Sequence, residues 1–110
     1  MLKGVTITPE ATPEFRNLSV SAGKVLQSLL NDLNDADATK KDAATKKVQK
    51  IALAMEKDKD IAAVLKAAGA SSQETDGLKL RSALITVRRS AVENTDLLNK
   101  INQAITENAQ

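Results

Sequence analysis

The chain has no cysteine, no histidine, no tryptophan and no tyrosine, and its single aromatic residue is Phe15. Each absence removes a class of chemistry. Without cysteine there is no disulfide framework and no thiolate metal site, and the redox compartment leaves no mark on the sequence. Without histidine the commonest general base, the commonest zinc ligand and a histidine phosphorelay are gone. A core without rings has to be built from Leu, Ile, Val and Ala, and Ala-rich contacts let helices approach closely. No stretch approaches the roughly 18 consecutive apolar residues of a membrane-crossing helix. Residues 1–8 lack the apolar region of a secretory signal. The expected location is the cytoplasm, or alternatively the exterior by a route without a cleavable signal peptide.

Charge of one sign is also lacking. Sixteen basic residues face fourteen acidic ones, for a formal +2. That balance by itself implies neither a nucleic acid nor a membrane partner. At 110 residues the chain suits one domain with one modest core.

Residues 1–11 read as an N-terminal extended arm, and residues 12–110 as a single helical-bundle domain. Thr8-Pro9-Glu10 is echoed by Thr12-Pro13-Glu14. The second copy has the form of a helix start, with Thr12 as N-cap, Pro13 in the first turn and Glu14 at the positive end of the dipole. The spacing of Phe15, Leu18, Ala22, Val25, Leu26, Leu29 and Leu33 predicts a helix over 13–33 with one buried face. Gly23 within it is expected to permit a close helix crossing. A turn at 34–38 precedes a second helix, with Thr39 as its expected cap and Ala44, Val48, Ile51 and Met55 inward. Charged residues 56–60 interrupt it. A short third helix follows, with Ile61, Val64, Leu65 and Ala68 inward and Gly69 as its left-handed terminator. After the loop 69–77, Leu80, Leu84, Val87, Ala91, Asn94, Leu98, Ile101 and Ile105 step by fours and threes without a slip. That phase predicts one continuous fourth helix, about 45 Å long. The fold class is therefore all-α: a small antiparallel bundle of three long helices plus one short helix.

Four constellations stand out. Leu78, Ile85 and Val92 recur every seven residues and lie roughly 120–160° around the fourth helix from Leu80. That side needs a neighbour, either another helix of this chain or a partner. Arg81, Arg88 and Arg89 flank the stripe, where guanidinium groups pack flat and pair bidentately with carboxylates. Alternatively they line a solvated edge. Asn94 occupies a core position, where a polar side chain can fix register or oligomeric state, or mark a kink. Lys40, Lys41, Lys46, Lys47 and Lys50 form a basic patch for an acidic surface, or simply a solvated face.

No catalytic, cofactor-binding or metal-binding residue is assigned. Asp32, Asp35 and Asp37 lack the glycine and distal glutamate of a calcium loop. The leading expectation is a non-enzymatic protein–protein interaction module: an adaptor, chaperone-like or regulatory factor. Its partner is another protein or a second copy of itself, bound through Leu78, Arg81, Ile85, Arg88, Arg89, Val92 and Asn94. The alternative is a leaderless secreted effector, or a structural subunit of a microbial secretion or phage assembly. Nucleic-acid binding ranks third, because no aromatic platform accompanies the arginines.

Overall fold

The computed structural model describes residues 13–109, with side chains from residue 16 onward. The expected arm at 1–11, the Thr12 cap and the Phe15 side chain lie outside the described residues. Five helices follow one another: α1 (Pro13–Leu33), α2 (Ala38–Glu56), α3 (Lys59–Ala67), α4 (Gly77–Ser90) and α5 (Thr95–Asn108). Among the described residues there is no strand. The protein is an all-helical bundle in which α1 packs most extensively on α5, and α2 touches the other four helices.

The apolar lines read from the sequence form the core. Leu26, Leu29 and Leu33 of α1 meet Val48, Ile51 and Met55 of α2, Leu80, Leu84 and Val87 of α4, and Ile101 and Ile105 of α5. Ile61 and Leu65 of α3 close one side. Small residues at Ala22, Ala44, Ala52 and Ala91 are also fully buried, which lets backbones come close without rings to fill the gaps.

Local chemistry sets the helix ends. Asp37, not Thr39, caps α2: its carboxylate accepts from the Thr39 N–H at 2.9 Å. Aspartate ranks above threonine at this position. Asp58 caps α3 through the Asp60 and Ile61 N–H groups. Asp76 caps α4 through those of Leu78 and Lys79. Gly69 terminates α3 as expected, at φ +74°. The Ala70 N–H donates to the Leu65 carbonyl and the Gly69 N–H to that of Lys66. This is the paired pattern that closes a helix through a left-handed residue. The following loop is tied back to α2. The Ser72 N–H and hydroxyl both donate to the Glu56 carboxylate, at 3.1 and 2.7 Å, and Gln49 Nε2 donates to the Glu74 carbonyl at 2.9 Å.

The continuous fourth helix is not found. It is divided at residues 91–94 into α4 and α5, and Asn94 is the N-cap of α5. Its side chain accepts from the Leu97 N–H at 3.1 Å and is exposed to solvent. Asn94 therefore holds no core register position. The unbroken phase has a physical explanation. The Val92 N–H bonds the Arg89 carbonyl and the Asn94 N–H that of Ala91. These i→i−3 turns keep the chain winding, so the inward face returns in step although the α-helix has stopped.

Gly23 also departs from expectation. A Cβ placed on it would find nothing within 4 Å. The crossing glycine is Gly77 instead. A Cβ there would strike the Leu33 side chain and lie 2.8 Å from Thr45 Oγ1 and 3.4 Å from Thr45 Cα.

Candidate functional site

Five of the seven residues singled out as an interface lie together. Arg81, Ile85, Arg88, Arg89 and Val92 line one open groove of about 430 Å³. The facing wall is Ser19, Gly23 and Leu26 of α1, and Leu98 of α5 closes one end. Leu78 and Asn94 are not part of it. Leu78 is exposed at the start of α4, near Lys41 and Thr45. Asn94 is engaged as a cap.

The groove has this form because α4 carries apolar residues on two sides. Leu80, Leu84 and Val87 turn into the core. Ile85 is half-buried against the core from the other side, and Val92, in the turn after α4, is 55% exposed. On α1 the groove passes over Gly23, where no side chain fills the space. The second stripe is thus neither fully internal nor fully solvated. Ile85 rests on the bundle, while Val92 and Leu78 are left uncovered.

The arginines behave differently from one another. Arg81 Nε donates to the Leu26 carbonyl of α1 at 2.8 Å. Arg88 Nε donates to Asn102 Oδ1 of α5 at 2.6 Å, and one of its Nη groups donates to both the carbonyl and the hydroxyl of Ser19 at 2.7 and 2.8 Å. One guanidinium therefore clamps α1, α4 and α5. Arg89 is exposed, and its side chain makes no hydrogen bond to the described residues. Among the described residues, none of the three has a carboxylate within ion-pair distance. Partial burial pushes the Arg81 and Arg88 guanidinium groups below their ordinary pKa. Arginine is basic enough to remain charged at neutral pH regardless.

Asn102 is the polar residue in the core that Asn94 was expected to be. It is 0% exposed. Its Oδ1 is held by Arg88, which fixes the amide orientation and leaves Nδ2 without a partner among the described residues. Its position was visible in the spacing Leu98, Ile101, Asn102, Ile105, which steps along one helical face. Ser19, Gly23, Leu26 and Leu98 were not foreseen as groove residues. Their role depends on α1 lying across α4, which no local pattern encodes.

Four lysines of the basic patch, Lys40, Lys46, Lys47 and Lys50, fall within about 120° of arc on α2. Lys40 pairs with Asp35 at 3.7 Å and Lys46 with Asp42 at 3.3 Å, both largely in solvent, where such pairs are weak. At 100° per residue Lys41 lies about 100° around the helix from Lys40, away from the other three. Lys40, Lys41, Lys46 and Lys50 are exposed and Lys47 is half-buried, as on a solvated helix face.

Among the described residues no helix is long and apolar enough to cross a membrane, and no group of three or more acidic side chains could hold a metal ion. No protein-family model matches this chain, and no curated protein or solved structure shows significant similarity to it.

Proposed function

We propose that this chain is a protein–protein interaction module that binds through the groove between α1 and α4, and that it has no catalytic role. The observation that carries this reading is the groove itself. Half-buried Ile85 and exposed Val92, with core residues Leu26 and Leu98 beneath, line a groove that also holds three guanidinium groups. Arginine is among the residues enriched at binding hot spots. The same inventory speaks against catalysis. The groove offers cations and aliphatic side chains but no group that titrates near neutral pH to move a proton.

Val92 is the residue to test. Ile85→Asp would disturb the bundle, because Ile85 already packs on the core. Val92→Asp places a charge where the side chain is mostly in solvent, so the fold tolerates it. The expected outcome is an unchanged circular dichroism spectrum and melting temperature, with loss of the partner recovered by cross-linking from native lysate. The partner's identity is then confirmed with purified protein. Undiminished capture by Val92→Asp, or capture that follows the Lys40–Lys50 face instead, refutes the assignment of the groove.

A further inference from the structure

The groove's cations are unbalanced, and their imbalance identifies the chemistry of the occupant. Resting on the reading of the groove as a docking site, we propose that it receives an acidic amphipathic helix of a different protein, with carboxylates seated on Arg81, Arg88 and Arg89.

Three observations support this. The first is charge. Among the described residues, the groove is lined by three arginines and no acidic residue. Holding a half-buried guanidinium without a counter-ion is costly, and the cost falls when a carboxylate arrives. Arg81 and Arg88 are already positioned by their bonds to Leu26, Asn102 and Ser19. Those bonds engage Nε of each fork and one Nη of Arg88. Both Nη groups of Arg81 make no hydrogen bond to the described residues and stay available for a bidentate pair, while the one remaining Nη of Arg88 can give a single charge-assisted bond. The fork loses little further freedom on binding.

The second is register. Arg81 and Arg88 are seven residues apart on α4, so they are about 10.5 Å apart along its axis and about 20° apart around it. Two turns of an incoming helix span about 10.8 Å. A helix lying alongside α4 with acidic residues at i and i+7 therefore meets both guanidinium groups on one face. The third is the notch over Gly23. Glycine at the middle of α1 costs about 1 kcal/mol of helix stability relative to alanine. The space its side chain would fill is empty in the free protein, and an apolar ridge on the incoming helix fits there.

A second copy of the chain is disfavoured by the same charges. A two-fold interface places the same patch on both sides. Centred on this groove it would oppose two arginine triplets, with no carboxylate among the described lining residues to interleave them.

The test is a displayed library of helices of about 18 residues (about 27 Å), with a fixed Leu ridge and flanking positions randomised among Glu, Gln and Lys. It is selected against the intact protein. The proposal expects enrichment of Glu at two positions seven apart. It also expects binding that weakens about tenfold on Arg89→Glu, and amide shifts at Gly23 and Val92 in an NMR titration. Enriched helices that shift those amides without a preference for Glu overturn the acidic occupant and leave the groove standing as a docking site. Binders that map elsewhere, or no binder at all, overturn both. A concentration-dependent dimer in light scattering, dissolved by Val92→Asp, replaces the foreign helix with self-association and overturns the proposal.

Discussion

Two glycines should respond in opposite ways to the same substitution. Gly23 lies near the middle of α1, in open space. Gly23→Ala removes the backbone-entropy cost of a mid-helix glycine, about 1 kcal/mol, and adds a methyl group that touches nothing. For a domain of this size that raises Tm by about 4 °C. Gly77 opens α4, where its missing Cβ makes room for the Leu33 side chain and the Thr45 backbone. Leu33 is 2% exposed and has nowhere to swing. Gly77→Ala should therefore overpack the α1–α2–α4 junction and cost about 1–3 kcal/mol, lowering Tm by about 4–12 °C. Thermal unfolding followed by far-UV circular dichroism measures both, since the chain has no tryptophan to report fluorescence. A destabilised Gly23→Ala would refute the open groove, because it requires a neighbour over residue 23. A neutral Gly77→Ala would refute the tight crossing. Groove binding should move independently of stability: Gly23→Leu, which fills the notch, weakens an occupant while the bundle stays folded.

Arg88→Met strands Oδ1 of Asn102 in the core beside the already unpartnered Nδ2 and should cost about 1–3 kcal/mol. Asn102→Leu should cost less, because the Arg88 fork borders the groove and can take water. The double variant should recover about 1–3 kcal/mol of the sum in a urea-unfolding cycle, and strict additivity would refute the coupling. Asn94→Ala should lower stability by about 1 kcal/mol as a lost cap, leaving the solution mass unchanged; a change in oligomeric state would restore its register role. Asp58 is a pH probe. The Ile61 N–H first, then the Asp60 N–H and the Lys100 ammonium at 3.4 Å, hold its carboxyl below the usual range, against an opposing effect of partial burial. A depressed folded pKa means that the ionised group stabilises above the unfolded value, about 4, and that this contribution fades as pH falls through the folded value. The stability gap between wild type and Asp58→Asn, which keeps the cap but not the charge, should be full above about pH 5 and shrink in more acid solution. A gap that does not change with pH would contradict the depressed carboxyl.

The helical period was enough to read the bundle. The lines through Leu26 and Leu33, Val48 and Met55, and Leu80 and Val87 are the core because a buried face must recur every 3.6 residues. Helix ends were legible where the terminating residue was unambiguous, as at Gly69. Asp37 was passed over for Thr39 because two competent caps stood two residues apart. The break at 91–94 was hidden because i→i−3 turns preserve phase, so periodicity carries no trace of it. The groove was half legible. Ile85 and Val92 betray a second apolar side of α4, but nothing near Arg88 in the sequence indicates Ser19, 69 residues away. The close crossing falls at Gly77 rather than Gly23 for the same reason. A glycine's local context does not say which helix crosses it.

The Ser19–Arg88–Asn102 clamp also marks the completion of assembly. Its members come from the first, fourth and fifth helices, so it closes only after nearly the whole bundle is in place. Contacts of such high sequence separation form late relative to local helical turns. The groove, bounded by the same three helices, is consequently a property of the finished molecule: a nascent chain still lacking α5, or one cleaved in the loop before α4, displays the arginines but not the cleft. Recognition through it would discriminate folded copies from incomplete ones without any separate checkpoint.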